Sequence, residues 1–289
     1  MPAPAAPRAA FALLAAVGVA LLAQAIPAVN VFISHETCLE STGSPALPFL
    51  NYGFNQALCA FNVTFSAAYA TVAGQHVLGA FGAFFLAPAF ILLHSSGAVR
   101  GALLLLLGQV VPVCIVYPAY GALSAPRTAD RREEPWQALL ATVGGYLVPG
   151  VYAVRSGLAY GPLSAWQIYP VYTLLIAVAC APFAFSGAKR VAYALAGAVC
   201  VGTSLSAQLP LLSALIAGEF SAADAFWPSQ SSFAGAALWI FVVDFAVVVV
   251  ASLVLVAPKS VVGWAGLLAT SAALGPGAAV ILFWLPQVW

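Results

Sequence analysis

The sequence predicts an all-α fold: a polytopic transmembrane helical bundle of about nine spans, or eight, in one domain over residues 1–289, with a cytoplasmic N-terminus. Three observations predict it. First, 63% of the residues are hydrophobic and only 6% are charged, with a mean hydropathy of +1.03. Soluble domains carry roughly 25% charged residues, so this chain cannot clothe a water-facing surface and must use the lipid bilayer as its partner. Second, long runs such as "GALLLLLGQVVPVCIVY" (101–117) do not alternate polar with apolar residues. Backbone groups in lipid are satisfied only by helices or closed barrels, and barrel strands alternate. Third, the basic residues fall unevenly between the ends of the apolar stretches.

A spanning helix needs about 20 mostly apolar residues. The stretches that meet this run at about 9–33, 52–72, 76–95, 101–123, 137–154, 164–186, 190–218, 231–256 and 261–286. The first, "AAFALLAAVGVALLAQAIPAVNVFI", is longer than the apolar part of a usual leader and reads as a span, not as a cleaved segment. Pro210 inside the seventh predicts a kink or tilt. Only 34–50 and 124–136 are sizeable connections, and no internal repeat stands out. With the N-terminus inside, Arg8, Arg127, Arg131, Arg132, Lys189, Arg190 and Lys259 are cytoplasmic, against Arg100 and Arg155 outside. Seven against two follows the positive-inside rule and puts the C-terminus outside. The first luminal loop, "SHETCLESTGSPALP", holds no Lys or Arg.

Composition also excludes chemistries. A net charge of +1 offers no basic patch for nucleic acid. Three His cannot build a multi-histidine di-iron site, and His76 and His94 fall at opposite ends of one span. One intramembrane aspartate is too few for an aspartyl protease, and the acids that hold diphosphate through Mg²⁺ in aspartate-rich prenyltransferases are missing. No mid-helix lysine or phosphate loop is present. No metal or cofactor is expected. Of five scattered cysteines, Cys59, Cys114, Cys180 and Cys200 read as apolar filler, while Cys38 lies in a polar loop. The "NVT" at Asn62 matches a glycosylation sequon but falls within a span.

The residue that needs explaining is Asp244, in "WIFVVDFAVVVVASLVLVA" (239–257). A carboxyl at the centre of a lipid-spanning helix costs about 2.5–3.5 kcal/mol on insertion scales, and such acids are functional by default. Low dielectric favours its neutral form, a proton donor in waiting. The bland alternative is an acid that merely hydrogen-bonds a neighbouring helix. Other polar residues share its half of the membrane: Asn51, Asn55, Gln56, Gln109, Tyr152, Trp166, Gln167, Tyr169 and Gln208. Singly, each reads as helix–helix glue or an interfacial residue. Together with Asp244 they suggest a pocket open to the lumen, with Glu219 of the loop "AGEFSAADAFWPSQ" near its mouth.

Several segments carry a resemblance. They are "PFLNYGFNQALCAFNVTF" (48–65), "GQVVPVCIVYPAYGAL" (108–123), "GGYLVPGVY" (144–152), "WQIYP" (166–170), "FVVDFAVVVVASLVL" (241–255) and "LGPGAAVILFW" (274–284). In order and content they resemble a family of fungal integral-membrane proteins that includes terpene cyclases of the ascochlorin and ascofuranone type. The resemblance implies cyclisation of a prenyl chain, with a terminal epoxide and an aromatic or other polar head, and it borrows the endoplasmic reticulum as location. Such a reaction opens the epoxide with a Brønsted acid and needs a dry pocket with aromatic faces to steady the cation. Asp244 matches the family's late-helix acid, and Trp166 and Gln167 match "WQIYP". One departure stands out: where the pattern carries an acid in the second span, this chain has Asn55, which hydrogen-bonds an oxygen but cannot protonate it.

The expectation is therefore a metal-independent terpene cyclase acting on an apolar prenylated substrate. Asp244 would be the general acid and Glu219 the other acid within reach. Asn55, Gln109, Gln167 and Gln208 would bind or orient the substrate's oxygen, and Trp166 and Tyr169 would steady the cation. The alternatives are a small-molecule carrier or proton-coupled transporter, in which Asp244 titrates during the cycle, and a non-catalytic partner of other membrane enzymes.

Overall fold

The computed structural model describes residues 5–30, 52–111, 113–123, 135–157, 160–183 and 189–288, and every regular element among them is helical. The helices are α1 (Ala5–Asn30), α2 (Tyr52–Tyr69), α3 (Val72–Ser96), α4 (Ala98–Val110) and α5 (Val113–Leu123). Next come α6 (Pro135–Arg155, with a π-helical turn over Val143–Leu147), α7 (Tyr160–Gln167), α8 (Tyr169–Cys180) and α9 (Lys189–Ala217). A five-residue α10 (Ala222–Phe226), α11 (Phe233–Leu255), α12 (Val261–Leu274) and α13 (Pro276–Val288) complete the set.

Helix α3 is the axis of the bundle. Every residue from Phe84 to His94 is buried, as a helix apolar on all sides requires in a protein interior. It packs against α2, α4, α6, α9 and α13. Pro88 removes the donor that the Phe84 carbonyl would otherwise accept. α13 comes up against that turn so closely that a Cβ on Gly277 would lie 3.2 Å from the Phe84 oxygen.

Among the described residues, four helices are long and apolar enough to cross a membrane: α3, α6, α9 and α11. A fifth span results if α7 and α8, bent by 56° about Ile168, count as one. Two stretches that the sequence reads as single spans, 101–123 and 261–286, instead turn back on themselves. α4 descends beside α3, with Gly101 against Leu93 and Gly108 facing the same crevice as Phe85. α5 then returns, so that Tyr117, Tyr120 and Gly121 share a crevice with Ile91, Leu92 and Ser95. At the other end of the chain, α12 and α13 pack side by side, with Gly266 against Phe283. α13 climbs α3 from Gly277 at Phe84 to Trp284, whose ring lies 5.1 Å from His94.

The arms of these hairpins have 13, 11, 14 and 13 residues. At 1.5 Å per residue they reach about 17–21 Å, short of a hydrocarbon core of about 30 Å. The reason is local: Val111, which precedes Pro112 in the sequence, leaves the helix at φ −111° and ψ 120°, and Gly275 ahead of Pro276 takes φ 90°, open to glycine without strain.

Two smaller expectations are also corrected. Cys59 is disulfide-bonded and not filler, whereas Cys114, Cys180 and Cys200 are free thiols. Tyr152 is 61% exposed on α6, on the outside of the bundle rather than inside it. The Asn62 sequon is buried inside α2, its Nδ2 donating to Ser164 Oγ at 2.5 Å.

Candidate acid site at a broken helix

Asp244 is the twelfth of the 23 residues of α11, half-buried at mid-helix. Its partner is the start of α5. Helix N-termini leave their first N–H groups without intrahelical acceptors, and Pro112 just before α5 ensures that none of these is supplied by a continuing α4. The Cys114 N–H donates to Asp244 Oδ1 at 2.7 Å. Asp244 thus caps a broken helix from a neighbouring one, using one oxygen and leaving the other available. α1 covers this contact: a Cβ on Gly18 would come within 2.9 Å of the Cys114 carbonyl oxygen.

Two further backbone irregularities meet the same level. The α7–α8 bend presents Tyr169 as the first residue of α8, buried and within electrostatic reach of Asp244. The π-helical turn of α6 presents Tyr146, whose hydroxyl donates to the Gly82 carbonyl at 3.0 Å. π-turns occur frequently at functional sites, and non-helical backbone at membrane depth persists only where protein or a cavity satisfies it. Gly145 permits this approach, since a Cβ there would sit 2.6 Å from Thr173 Cα of α8.

Around the acid stands a continuous aromatic wall. Tyr146 and Tyr169 meet edge to face at 4.8 Å, Tyr146 and Trp166 lie 6.0 Å apart, and Trp166 meets Phe65 at 5.4 Å. Phe65 meets Phe241, one turn before Asp244, at 5.5 Å. Phe85 joins both tyrosines. Ring faces of this kind attract cations by about 0.5–2 kcal/mol each. An apolar crevice lined by Gly108, Val113, Phe85 and Tyr117 begins one residue from Gln109 and from Cys114, although Asp244 itself does not line it.

Of the residues expected from sequence, Tyr169 and Trp166 join one ring cluster through Tyr146, and that cluster reaches α11 at Phe241, one turn from Asp244; Gln109 is half-buried near the end of α4, one residue from the crevice. Gln167 is 8% exposed on α7, beside this wall. Gln208 lies elsewhere, its Nε2 donating to the Ala272 carbonyl at 3.3 Å at the second hairpin. Glu219 is exposed in the α9–α10 connection beside Phe220, whose ring stacks on His76 at 5.5 Å, and no described contact joins it to Asp244. Asn55 falls in α2, with a side chain outside the described residues. Sequence reasoning missed Cys114, Tyr146 and Asn62. The signal for the first was Pro112, which marks a helix start two residues upstream. Among the described residues no group of three His, Cys, Asp or Glu is placed to hold a metal ion. No family model, no curated protein and no solved structure matches the chain.

Proposed function

We propose that the chain is a membrane-embedded terpene cyclase that opens and cyclises an epoxidised prenyl substrate by acid catalysis without a metal. The observation that carries this reading is a single carboxyl fixed at one oxygen, one turn along α11 from an aromatic cluster that runs from Phe241 through Phe65, Trp166 and Tyr146 to Tyr169. The Cys114 N–H binds Oδ1, which leaves Oδ2 to carry the proton for the substrate oxygen. The tyrosine and tryptophan rings then steady the cation as it moves along the chain. The sequence resemblance points to the same chemistry and the same acid.

Its placement follows from charge. If each hairpin enters and leaves on one face, and α1 starts on that face as the crevice shared by Phe11, Ser95 and Gly121 indicates, Arg100 joins Arg8, Arg127, Arg131, Arg132, Lys189, Arg190 and Lys259 on the cytoplasmic side, and Arg155 stands alone opposite. Eight against one is a stronger bias than the nine-span layout gives, and it puts both termini in the cytoplasm. The disulfide at Cys59 supports an oxidising compartment on the far side, as the endoplasmic reticulum offers.

The test is direct. Microsomes from a host expressing the chain, and from an empty host, are fed epoxidised farnesyl-phenols and related prenyl compounds, and products are read by chromatography and mass spectrometry. Cyclised isomers of unchanged mass that need the chain support the proposal; none, from abundant folded protein, overturns it. A second reading, a proton-coupled carrier, draws on the two hairpins, since helices interrupted at the midplane form the binding sites of many transporters. It predicts substrate flux across sealed vesicles that collapses with a protonophore, and no change in the substrate's structure.

A further inference from the structure

Between α2 and α7 lies a set of polar side chains with unmet hydrogen bonds. Asn62 is 1% exposed; its Nδ2 donates to Ser164 Oγ, but its Oδ1 accepts from nothing. Gln167 is 8% exposed, and its Nε2 donates to nothing. Ser164 and Gln167 are three residues apart on α7 and share a face, so the Ser164 bond brings Asn62 to the face that carries Gln167. Buried polar atoms in native proteins are satisfied in the large majority of cases, and leaving one unmet costs about 1–3 kcal/mol. An unmet acceptor and an unmet donor on packed faces call for an occupant that both donates and accepts. The Trp166 N–H is also unmet but faces Gly150 on the other side, so it belongs to a different contact.

We propose that Asn62, Ser164 and Gln167 form a recognition site for a hydroxyl-bearing head of the substrate, an alcohol or phenol, whose O–H donates to Asn62 Oδ1 and whose oxygen accepts from Gln167 Nε2. This rests on the cyclase reading and deepens it. The depth fits: Phe61 and Phe65, which flank Asn62 on α2, both pack on Phe241, one turn from Asp244. The head is thereby held beside the aromatic wall while the acid addresses another part of the folded chain. A carbonyl or an ether would leave Asn62 Oδ1 empty, so the site discriminates by the presence of a hydroxyl hydrogen.

The experiment compares an epoxidised prenyl phenol with its methyl ether on wild type, Asn62→Leu and Gln167→Met. Two readouts are taken from each: kcat/KM for cyclisation, and the melting shift of the detergent-purified protein on ligand addition. Wild type should favour the phenol by roughly 10- to 100-fold, the range expected when a site built for a hydroxyl meets an analogue without one. Asn62→Leu should bring that preference to within about 2-fold while still cyclising the ether, and Gln167→Met should reduce it with the Asn62–Ser164 bond intact. Equal treatment of phenol and ether by wild type, as expected if an ordered water is the only occupant, overturns the site. An undiminished preference in both variants does so too. Should wild type cyclise neither compound, the cyclase reading fails and the melting shifts decide the site alone. A larger shift with phenol in wild type, lost in Asn62→Leu or Gln167→Met, sustains it; equal shifts overturn it.

Discussion

The two hairpins solve one problem with different residues. Each break carries a proline in the sequence, Pro112 or Pro276, and in each the helix-start N–H two residues later is capped from a long neighbouring helix. At the second hairpin the Ala278 N–H donates to Ser204 Oγ of α9 at 3.3 Å, with the Gln208 amide bonded to the opposite arm. At the first, Cys114 is capped by Asp244 of α11. A neutral hydroxyl is therefore enough to hold such a break. Serine and aspartate are near equals as helix caps, yet the acid is the one that carries an insertion cost of about 2.5–3.5 kcal/mol at the bilayer centre. The difference teaches that capping alone does not account for a carboxyl at position 244.

Changes at each break sharpen this comparison. The largest effect is expected from Asp244→Ser, which converts the first cap into the second. The protein should fold and accumulate normally, while cyclisation in microsomes falls at least about 100-fold, the scale of a lost general acid. Next are Tyr146→Leu and Trp166→Leu. Each removes one ring face worth about 1–2 kcal/mol to a cation, so kcat should drop roughly 5- to 30-fold, with product distribution read by chromatography. Ser204→Ala should do the reverse of the first change. It should destabilise the purified protein by about 1 kcal/mol in thermal unfolding and leave kcat unaltered.

The smallest effect lies far from both breaks. Asp224 accepts from the Ser221 N–H and hydroxyl, and these bonds hold its carboxyl below the ordinary carboxylate range. A depressed folded-state value means that the stabilisation is present above about pH 4 and is lost as pH falls through the folded value. Hydrogen exchange of the Ala222–Phe226 amides should accelerate in Asp224→Ala at neutral pH, converge with wild type in strong acid, and leave activity unchanged.

The all-helical fold and Asp244 as its exceptional residue were legible in the sequence, because apolar run length and a lone mid-span acid are local properties. Tyr169 and Trp166 were legible as candidates by depth, and they share the aromatic cluster that reaches Phe241, one turn from the acid. The hairpins were not read, although "VVPVC" and "LGPGA" carry the proline and glycine signals for them. Hydropathy runs unbroken across both tips, and hydropathy reports burial in lipid, not direction of travel. Asn62 was set aside as an unused sequon because its value lies in an atom left without a partner at the α2–α7 contact, a three-dimensional fact. Gln208 was grouped with the acid by depth alone, whereas it serves the other break.

The central claim is that Asp244 gives up a proton and does not merely hold α5. The most direct test is the cyclisation rate of Asp244→Asn beside wild type in microsomes matched for protein abundance. Asparagine caps a helix as well as aspartate does but cannot donate an acid proton. The account predicts a folded protein of unchanged melting temperature that forms no cyclised product. Cyclisation at the wild-type rate would show that Asp244 is a cap and nothing more.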